Sequence, residues 1–275
     1  MSTLSGLFDL SGRVAVITGG CGLLGRKHAE AVMEAGGVAV LWDVVADAPA
    51  RAQEIGKAHG GRCHGLQVDI TSRESVAAAM QQTLALAGRL DILINNAAND
   101  PKVSAEQGFA WSRFESFARG MWDQDIAVGL TGAFLCSQAL GAHMAANGGG
   151  VILNIASDLG VIAPDQRIYR KEGLADHEQP VKPVTYSVVK HGLIGLTKYL
   201  ATYWAEQGVR VNSLAPGGVY NGQPDAFVAK LAGLIPLGRM ARQDEYKGAV
   251  LFLVSDASSY MTGANLSVDG GRTCW

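Results

Sequence analysis

Seven short runs rich in Val, Ile and Leu recur along the chain, and in four of them, Val14–Thr18, Val38–Trp42, Ile92–Asn95 and Val151–Ile155, the apolar residues fill consecutive rather than alternate positions. A strand with one wet face alternates polar and apolar residues. A strand that is apolar throughout is covered on both faces, as in a parallel sheet between two helix layers. The pattern predicts strands over Val14–Thr18, Val38–Trp42, Cys63–Val68, Ile92–Asn95, Val151–Ile155, Val209–Leu214 and Asn265–Val268. Ala-rich segments with helical periodicity separate them: Leu24–Ala35, Asp47–His59, Arg73–Ala87, Met121–Ala146, Thr185–Gln207 and Gln243–Ser255. This alternation specifies an α/β fold, a doubly wound parallel sheet of about seven strands with helices on both faces.

The 275 residues contain no Pro/Ser-rich linker and no shift of composition, so residues 1–275 are read as a single domain. Charged residues are only 17% and apolar residues 48%, which excludes a disordered chain. The net charge of −2 comes without a basic stripe, so no nucleic-acid partner is expected. The four cysteines form no C-x-x-C pair, and reduced thiols in a cytoplasmic protein are the expectation. The opening MSTLSGLFDLSGR lacks the pattern of a secretory leader. Apolar runs fall well short of the ~18 residues that span a bilayer, so no membrane partner is expected. The least regular stretch is about 160–184, with Pro164, Pro180 and Pro183, and is long enough for a loop to be either functional or mobile.

The segment from Val14 to Gly25 runs from strand through glycines into helix. Glycines there let the backbone turn tightly and approach a pyrophosphate, while the N–H groups opening the helix face the anion. Gly19, Cys21, Leu24 and Gly25 are the candidate cofactor contacts in this turn. Asp43 lies 18 residues past Gly25, at the end of the second strand, where an acid can bond the adenosine ribose hydroxyls and repel a 2′-phosphate. No Arg or Lys lies between Val38 and Ala50 to hold such a phosphate, so NAD rather than NADP is the expected cofactor.

With these pieces in view the chain resembles the short-chain dehydrogenase/reductase family. The resemblance rests on Thr18-Gly19…Gly25, Asp69, Asn95-Asn96-Ala97-Ala98, Asn154-Ile155-Ala156-Ser157, Tyr186-Ser-Val-Val-Lys190, Pro216-Gly217-Gly218-Val219 and Val268-Asp269-Gly270-Gly271. It implies a Rossmann-like sheet, a nicotinamide cofactor, and hydride transfer to or from an alcohol or carbonyl carbon. A narrower likeness, through His28-Ala-Glu-Ala31, Val181–Gly192 and Pro216–Gly222, points to dehydrogenases of flagellin modification and nonulosonic-acid pathways.

Tyr186 and Lys190 are four apart on a helical pattern and share a face. A phenol is a poor acid–base group near neutrality, and an adjacent ammonium favours its charged form. Tyr186 is therefore the candidate acid/base. Lys190 tunes it and, as the resemblance implies, grips the nicotinamide ribose. Ser157, selected over Asp158 by the family's register, would hydrogen-bond the reacting oxygen. Asn96 and Ala97 are placed toward the adenosine ribose, Asp69 and Ile70 toward adenine, and Pro216, Gly217 and Val219 toward the carboxamide.

The chain also departs from the family. The turn reads T-G-G-C-G-L-L-G, so the usual middle glycine falls on Leu23, which makes Gly19, Leu24 and Gly25 better candidates than Gly22. Gly129 stands where the family has an Asn that supports a water beside the lysine, and glycine has no side-chain donor or acceptor. A rewired relay is expected, a non-catalytic relative being the alternative. Ser157 and Tyr186 are 29 apart, longer than usual, and the extra residues carry Arg167, Tyr169, Arg170 and Lys171, with Lys182 beyond. Arg167 and Arg170 are the candidate anion-binding residues of a substrate site. The expected substrate is a polar secondary alcohol or ketone, sugar-like or anionic. A hydrophobic steroid or acyl alcohol is the alternative. His28, His59, His64, His143, His177 and His191 show no metal-ligand spacing, and no metal is expected. The aromatic residues Phe109, Trp111, Phe114, Phe117 and Trp122 read as a helix face. The resemblance implies a homodimer or homotetramer formed through the long helices around 121–146 and 185–207.

Overall fold

Side chains alternate across a strand, so a strand apolar at every position feeds two separate cores. In the computed structural model, which describes residues 3–99 and 108–275, this is what Val14–Thr18 (β1) does. Ala15 and Ile17 enter one core together with Ala39, Leu41, Ile92, Ile94 and Leu153. Val14 and Val16 enter the other with Val38, Val40, Trp42, Leu93 and Ile152. The remaining strands are Val38–Asp43 (β2), Arg62–Gln67 (β3), Ile92–Asn95 (β4), Gly150–Ile155 (β5), Val209–Pro216 (β6) and Asn265–Val268 (β7). They form one parallel sheet in the order β3-β2-β1-β4-β5-β6-β7. The order reverses between β1 and β4. A crevice opens there beyond the strand C-termini, which is where doubly wound sheets bind their ligands.

Helices Leu23–Glu34 and Lys247–Val254 supply Ala29, Val32, Val250 and Leu253 to the first core. Helices Arg73–Ala87, Arg119–Ala146 and Val184–Tyr203 cover the other face with Val76, Cys136, Leu140, Met144 and Leu200. The 28-residue helix Arg119–Ala146 is long and apolar enough to cross a membrane by length and composition. Its Cys136, Leu140 and Met144 are instead fully buried against the sheet. Two π-helical turns interrupt it, Ala127–Thr131 and Ser137–Gly141. Such turns often mark functional sites. A short helix absent from the sequence expectations, Asp225–Ala232, follows β6.

Glu30, Glu34 and His59 converge within 4.8 Å. Lys27 and Lys247 neutralise the two carboxylates, at 2.7 Å from Glu30 and 2.5 Å from Glu34 respectively, so the cluster is an ion-pair network with Glu30 buried inside it.

Below the glycine turn, His28 is fully buried, and desolvation pushes its imidazole from 6.5 down to about 4. Between those values the unfolded chain binds a proton that the folded chain refuses. Stability therefore falls as the pH drops from about 6.5 to about 4, then levels off. The contribution is on the order of 3 kcal/mol. Urea unfolding at several pH values should show this slope in the wild type and a flatter one in His28→Leu. Equal slopes would remove His28 as its cause.

Candidate active site

The strand ends at the switch point are tied together before any ligand is considered. Asn96 donates its side-chain amide to the carbonyls of Thr18 (3.0 Å) and Gly19 (3.1 Å). The backbone N–H groups of Asn96 and Ala97 both donate to Thr18 Oγ1. Asn96 thus braces the glycine turn through its amide, although it also lines the cleft, as does Ala97. Gly19 has φ +59°, and a Cβ there would lie 2.9 Å from Ala97 Cα, so only glycine fits between the ends of β1 and β4. Gly25 serves packing: a Cβ would lie 2.3 Å from the Gly19 carbonyl oxygen. It holds the helix hard against the turn and does not line the cleft. Gly22 is the N-cap of helix Leu23–Glu34, with no side-chain cap and no acid in the first turn, so these N–H groups suit an anion. Gly22, Leu23 and Leu24 line the cleft, so Gly22, ranked below Gly19, Leu24 and Gly25 in the sequence, is part of the contact surface.

Cys21 is a correction. Its side chain is buried, burial pushes its thiol up to about 11, and its N–H donates to Asp43 Oδ2 at 2.9 Å. It therefore positions the acid from behind and is not part of the cleft lining. Asp43, half-buried, lines the cleft at the end of β2 and also accepts from Val45 N–H. Two cations lie nearby but are engaged: Arg26 donates to the Cys21 carbonyl, and Arg51 pairs with Asp47 at 2.8 Å. Asp69 and Ile70 line the cleft beyond β3. Thr71 donates twice to one oxygen of Asp69, which holds that carboxyl below its ordinary value. Pro216, Gly217 and Val219 line the opposite end. The Val219 carbonyl already accepts from Gln223, which leaves its N–H as the group able to meet a carboxamide.

Ser157, Tyr186 and Lys190 come together on the wall of this cleft. Ser157 closes β5 and is buried; its hydroxyl donates to Asp158 Oδ1 (2.7 Å) and accepts from Leu159 N–H. It is both a cap of the turn Asp158–Gly160 and a cleft group. Burial raises the Asp158 carboxyl above its ordinary value. Lys190 is 4% exposed, and its ammonium donates to the Ile155 carbonyl at 2.7 Å, which fixes it under the strand end. Its Nζ lies 5.7 Å from the centre of the Tyr186 ring. Lys182 sits closer, with Nζ 3.9 Å above that ring. Two ammonium groups thus flank the phenol, positioned to stabilise negative charge developing on it. Sequence spacing pointed only to Lys190, because Lys182 reaches the ring through the fold of the insertion.

Gly129 lies in the first π-helical turn, facing the helix that carries Tyr186. A Cβ there would lie 2.6 Å from Val189 Cγ1, so Val189 occupies the space an Asn side chain would need. Beside them a cavity of about 10 Å³ is bounded by Asp125, Gly129, Thr185, Tyr186 and Lys190. That is about the size of one water. Asp125 and Thr185, both buried, close it with a 2.5 Å hydrogen bond donated by Thr185.

The insertion is an ordered wall. Gln179 ties its segments together through Lys171 and Leu174, and Lys182 N–H donates to Gln166. Lys230 donates to the Arg170 carbonyl, and Tyr169 packs on Phe227, both from helix Asp225–Ala232. Arg170 lines the cleft. Arg167 does not: it is turned outward and forks onto Asp165 (2.9 and 2.7 Å), holding that carboxyl down to about 2. The aromatic residues of 109–117 are also a correction, since two 3-10 turns, not a helix, carry them, and Phe114 is largely exposed.

The cleft encloses about 1650 Å³, larger than a drug-sized pocket needs, and its lining runs continuously from Asp43 to Tyr186. A glycine cradle no Cβ could enter, an uncapped helix N-terminus and a carboxylate at the end of β2 fit an extended dinucleotide. A buried ammonium, a hydroxyl and a phenol stand at its reactive end. Fold and site define an oxidoreductase of the dinucleotide-binding α/β class.

The comparisons carry this further. The family model described as enoyl-(acyl carrier protein) reductase matches residues 23–273. The cis-4-hydroxycyclohexanecarboxylate dehydrogenase of Sinomonas cyclohexanicum is 35% identical over 266 residues, 95% of this chain and 96% of that protein. A short-chain type dehydrogenase/reductase from Mycobacterium marinum superposes with a TM-score of 0.83 at 34% identity, covering 100% of both chains. A gluconate 5-dehydrogenase from Burkholderia cenocepacia, in complex with NADP and tartrate, gives a TM-score of 0.86 at 30% identity, covering 99% of this chain and 100% of its own. The chain belongs to the short-chain dehydrogenase/reductase family, and it is an oxidoreductase acting on CH–OH groups.

Proposed function

We propose that this chain uses NAD to interconvert a secondary alcohol and a ketone on a polar, sugar-like or anionic substrate. The observation that carries the reading is the phenol of Tyr186, flanked by Lys182 and Lys190 and opening onto the same cleft as Ser157. Gly19, Gly22, Leu23, Leu24, Asp43, Asp69, Ile70, Lys190 and Val219 would hold the cofactor, whose nicotinamide supplies the hydride acceptor or donor. In oxidation Tyr186 takes the hydroxyl proton of the substrate; in reduction it returns one. Lys190 and Lys182 stabilise the charge the phenol carries between those events. Ser157 exchanges its bond to Asp158 for one to the reacting oxygen and stabilises charge developing there. Arg170, Lys171, Glu172, Lys182 and Lys230 around the substrate end support a polar substrate over a steroid or acyl chain. The relatives' names agree in kind: a hydroxycyclohexanecarboxylate and gluconate are both polar hydroxy acids. On the outer surface Tyr199 and Tyr203 are exposed and stacked on helix Val184–Tyr203, a face suited to a second copy of the chain.

The preference for NAD rests on Asp43, because a 2′-phosphate would meet a carboxylate already fixed by Cys21 N–H. Fluorescence titration should find NADH bound roughly tenfold or more tighter than NADPH, with the gap narrowing to within about threefold in Asp43→Ala. Equal or tighter NADPH binding by the wild type would reverse the assignment.

A further inference from the structure

Among the cations lining the cleft, one differs from the rest in its surroundings. Lys190 is spent on Ile155, Lys230 on the Arg170 carbonyl, Lys171 lies over Phe109 and Lys182 over Tyr186. Arg170 is exposed at the rim. Arg272 lines the cleft, is 8% exposed, and has no side-chain hydrogen bond or ion pair among the described residues. It follows directly on the glycines Gly270 and Gly271, whose positive φ values of +67° and +90° turn the chain there.

The carboxylates around it are each committed elsewhere. Asp269 accepts from Gly271 and Thr273 N–H within its own turn. Asp158 accepts from Ser157 Oγ and Leu159 N–H, and Asp165 is forked by Arg167. Arg272 acts on both Asp158 and Asp165 only through space. Asp158 adjoins Ser157, so Arg272 belongs to the substrate end of the cleft and not to the adenosine end. Its guanidinium donors, taken by no protein acceptor among the described residues, face the cleft ready for a ligand. Its planar fork matches two coplanar oxygens of like charge.

We propose that Arg272 is the anchor for a substrate carboxylate, making the preferred substrate a hydroxy acid whose carbinol carbon lies at Tyr186 and whose acid group lies at Arg272. This rests on the oxidoreductase reading above and specifies its substrate class. A carboxylate suits the site better than a phosphate, because a single planar fork matches its two coplanar oxygens.

The test uses the protein loaded with NADH, titrated with malonate and, separately, with inorganic phosphate by calorimetry. Malonate should bind the wild type more tightly than phosphate does, and Arg272→Met should weaken malonate by roughly tenfold or more. Arg272→Lys, which keeps the charge and loses the fork, should fall between the two and guards against a Met variant that does not fold. In turnover, Arg272→Met should raise KM for an aldonate while kcat/KM for the alditol of the same skeleton changes less than about threefold. Malonate binding unchanged in both variants, or phosphate preferred by the wild type, would overturn the assignment. Loss of the anchor is distinguishable from failure of the underlying reading, because the latter would appear as turnover that survives Tyr186→Phe.

Discussion

Tyr186→Phe should lower kcat by roughly 10²–10⁴-fold, the range general acid–base groups contribute, with little change in NADH affinity. The substitution removes one oxygen and leaves the ring. The ring keeps Lys182 above it at 3.9 Å, and Lys190 keeps its bond to the Ile155 carbonyl. The fold and the cofactor cleft therefore persist, and what disappears is the group that moves the proton. Stopped-flow turnover with NADH titration on the same preparation separates the two effects. A variant that loses turnover and NADH binding together would show that the tyrosine organises the cleft instead of performing the chemistry.

Gly25→Ala should be among the most damaging single methyls in the chain's N-terminal half. The added Cβ would lie 2.3 Å from the Gly19 oxygen and 2.8 Å from Gly20 Cα. Both are backbone, so no side chain can swing aside. Overpacking of this kind costs about 1–3 kcal/mol and sometimes more. Here relief requires moving the turn itself, so NADH affinity should fall with Tm. Gly195→Ala is the contrast: it lies within helix Val184–Tyr203 with nothing within 4 Å of the added Cβ. That change should be neutral or stabilise by up to ~1 kcal/mol, the helix propensity of Ala over Gly. Equal Tm losses in the two variants would mean that the glycine turn is not the tight contact described.

The contrast between these glycines shows which parts of the molecule were legible in the residues. Strands covered on both faces announce themselves through unbroken apolar runs, and β1 and β4 coincide with their expected bounds, as does the less buried edge strand β7. The helix Arg73–Ala87 does as well, since Ser72 caps one end and Gly88, with φ +77°, closes the other. Helix Asp225–Ala232 was not legible because it is two turns long with no buried residue to impose a period. Strand-end motifs located Ser157, Tyr186, Lys190 and Asp43 because register along a strand or helix fixes where a side chain emerges. Register does not say which charges neutralise one another. The charge-rich insertion therefore suggested Arg167, which the fold spends on Asp165, two residues away. Arg272, over a hundred residues further on, is brought into the cleft only by β7 and its glycine turn. Gly129 likewise read as a missing group, whereas its meaning lies in Val189, which packs into the space from another helix.

The most direct test of the account follows a hydrogen atom. The protein is mixed with NAD and hydroxy acids or alditols carrying deuterium on the carbinol carbon, and the recovered cofactor is examined by mass spectrometry. One deuterium per ketone formed should appear on the nicotinamide ring with the wild type, and none above background with Tyr186→Phe. Cofactor that binds yet never acquires deuterium from any of these alcohols, or equal transfer by both proteins, would contradict it.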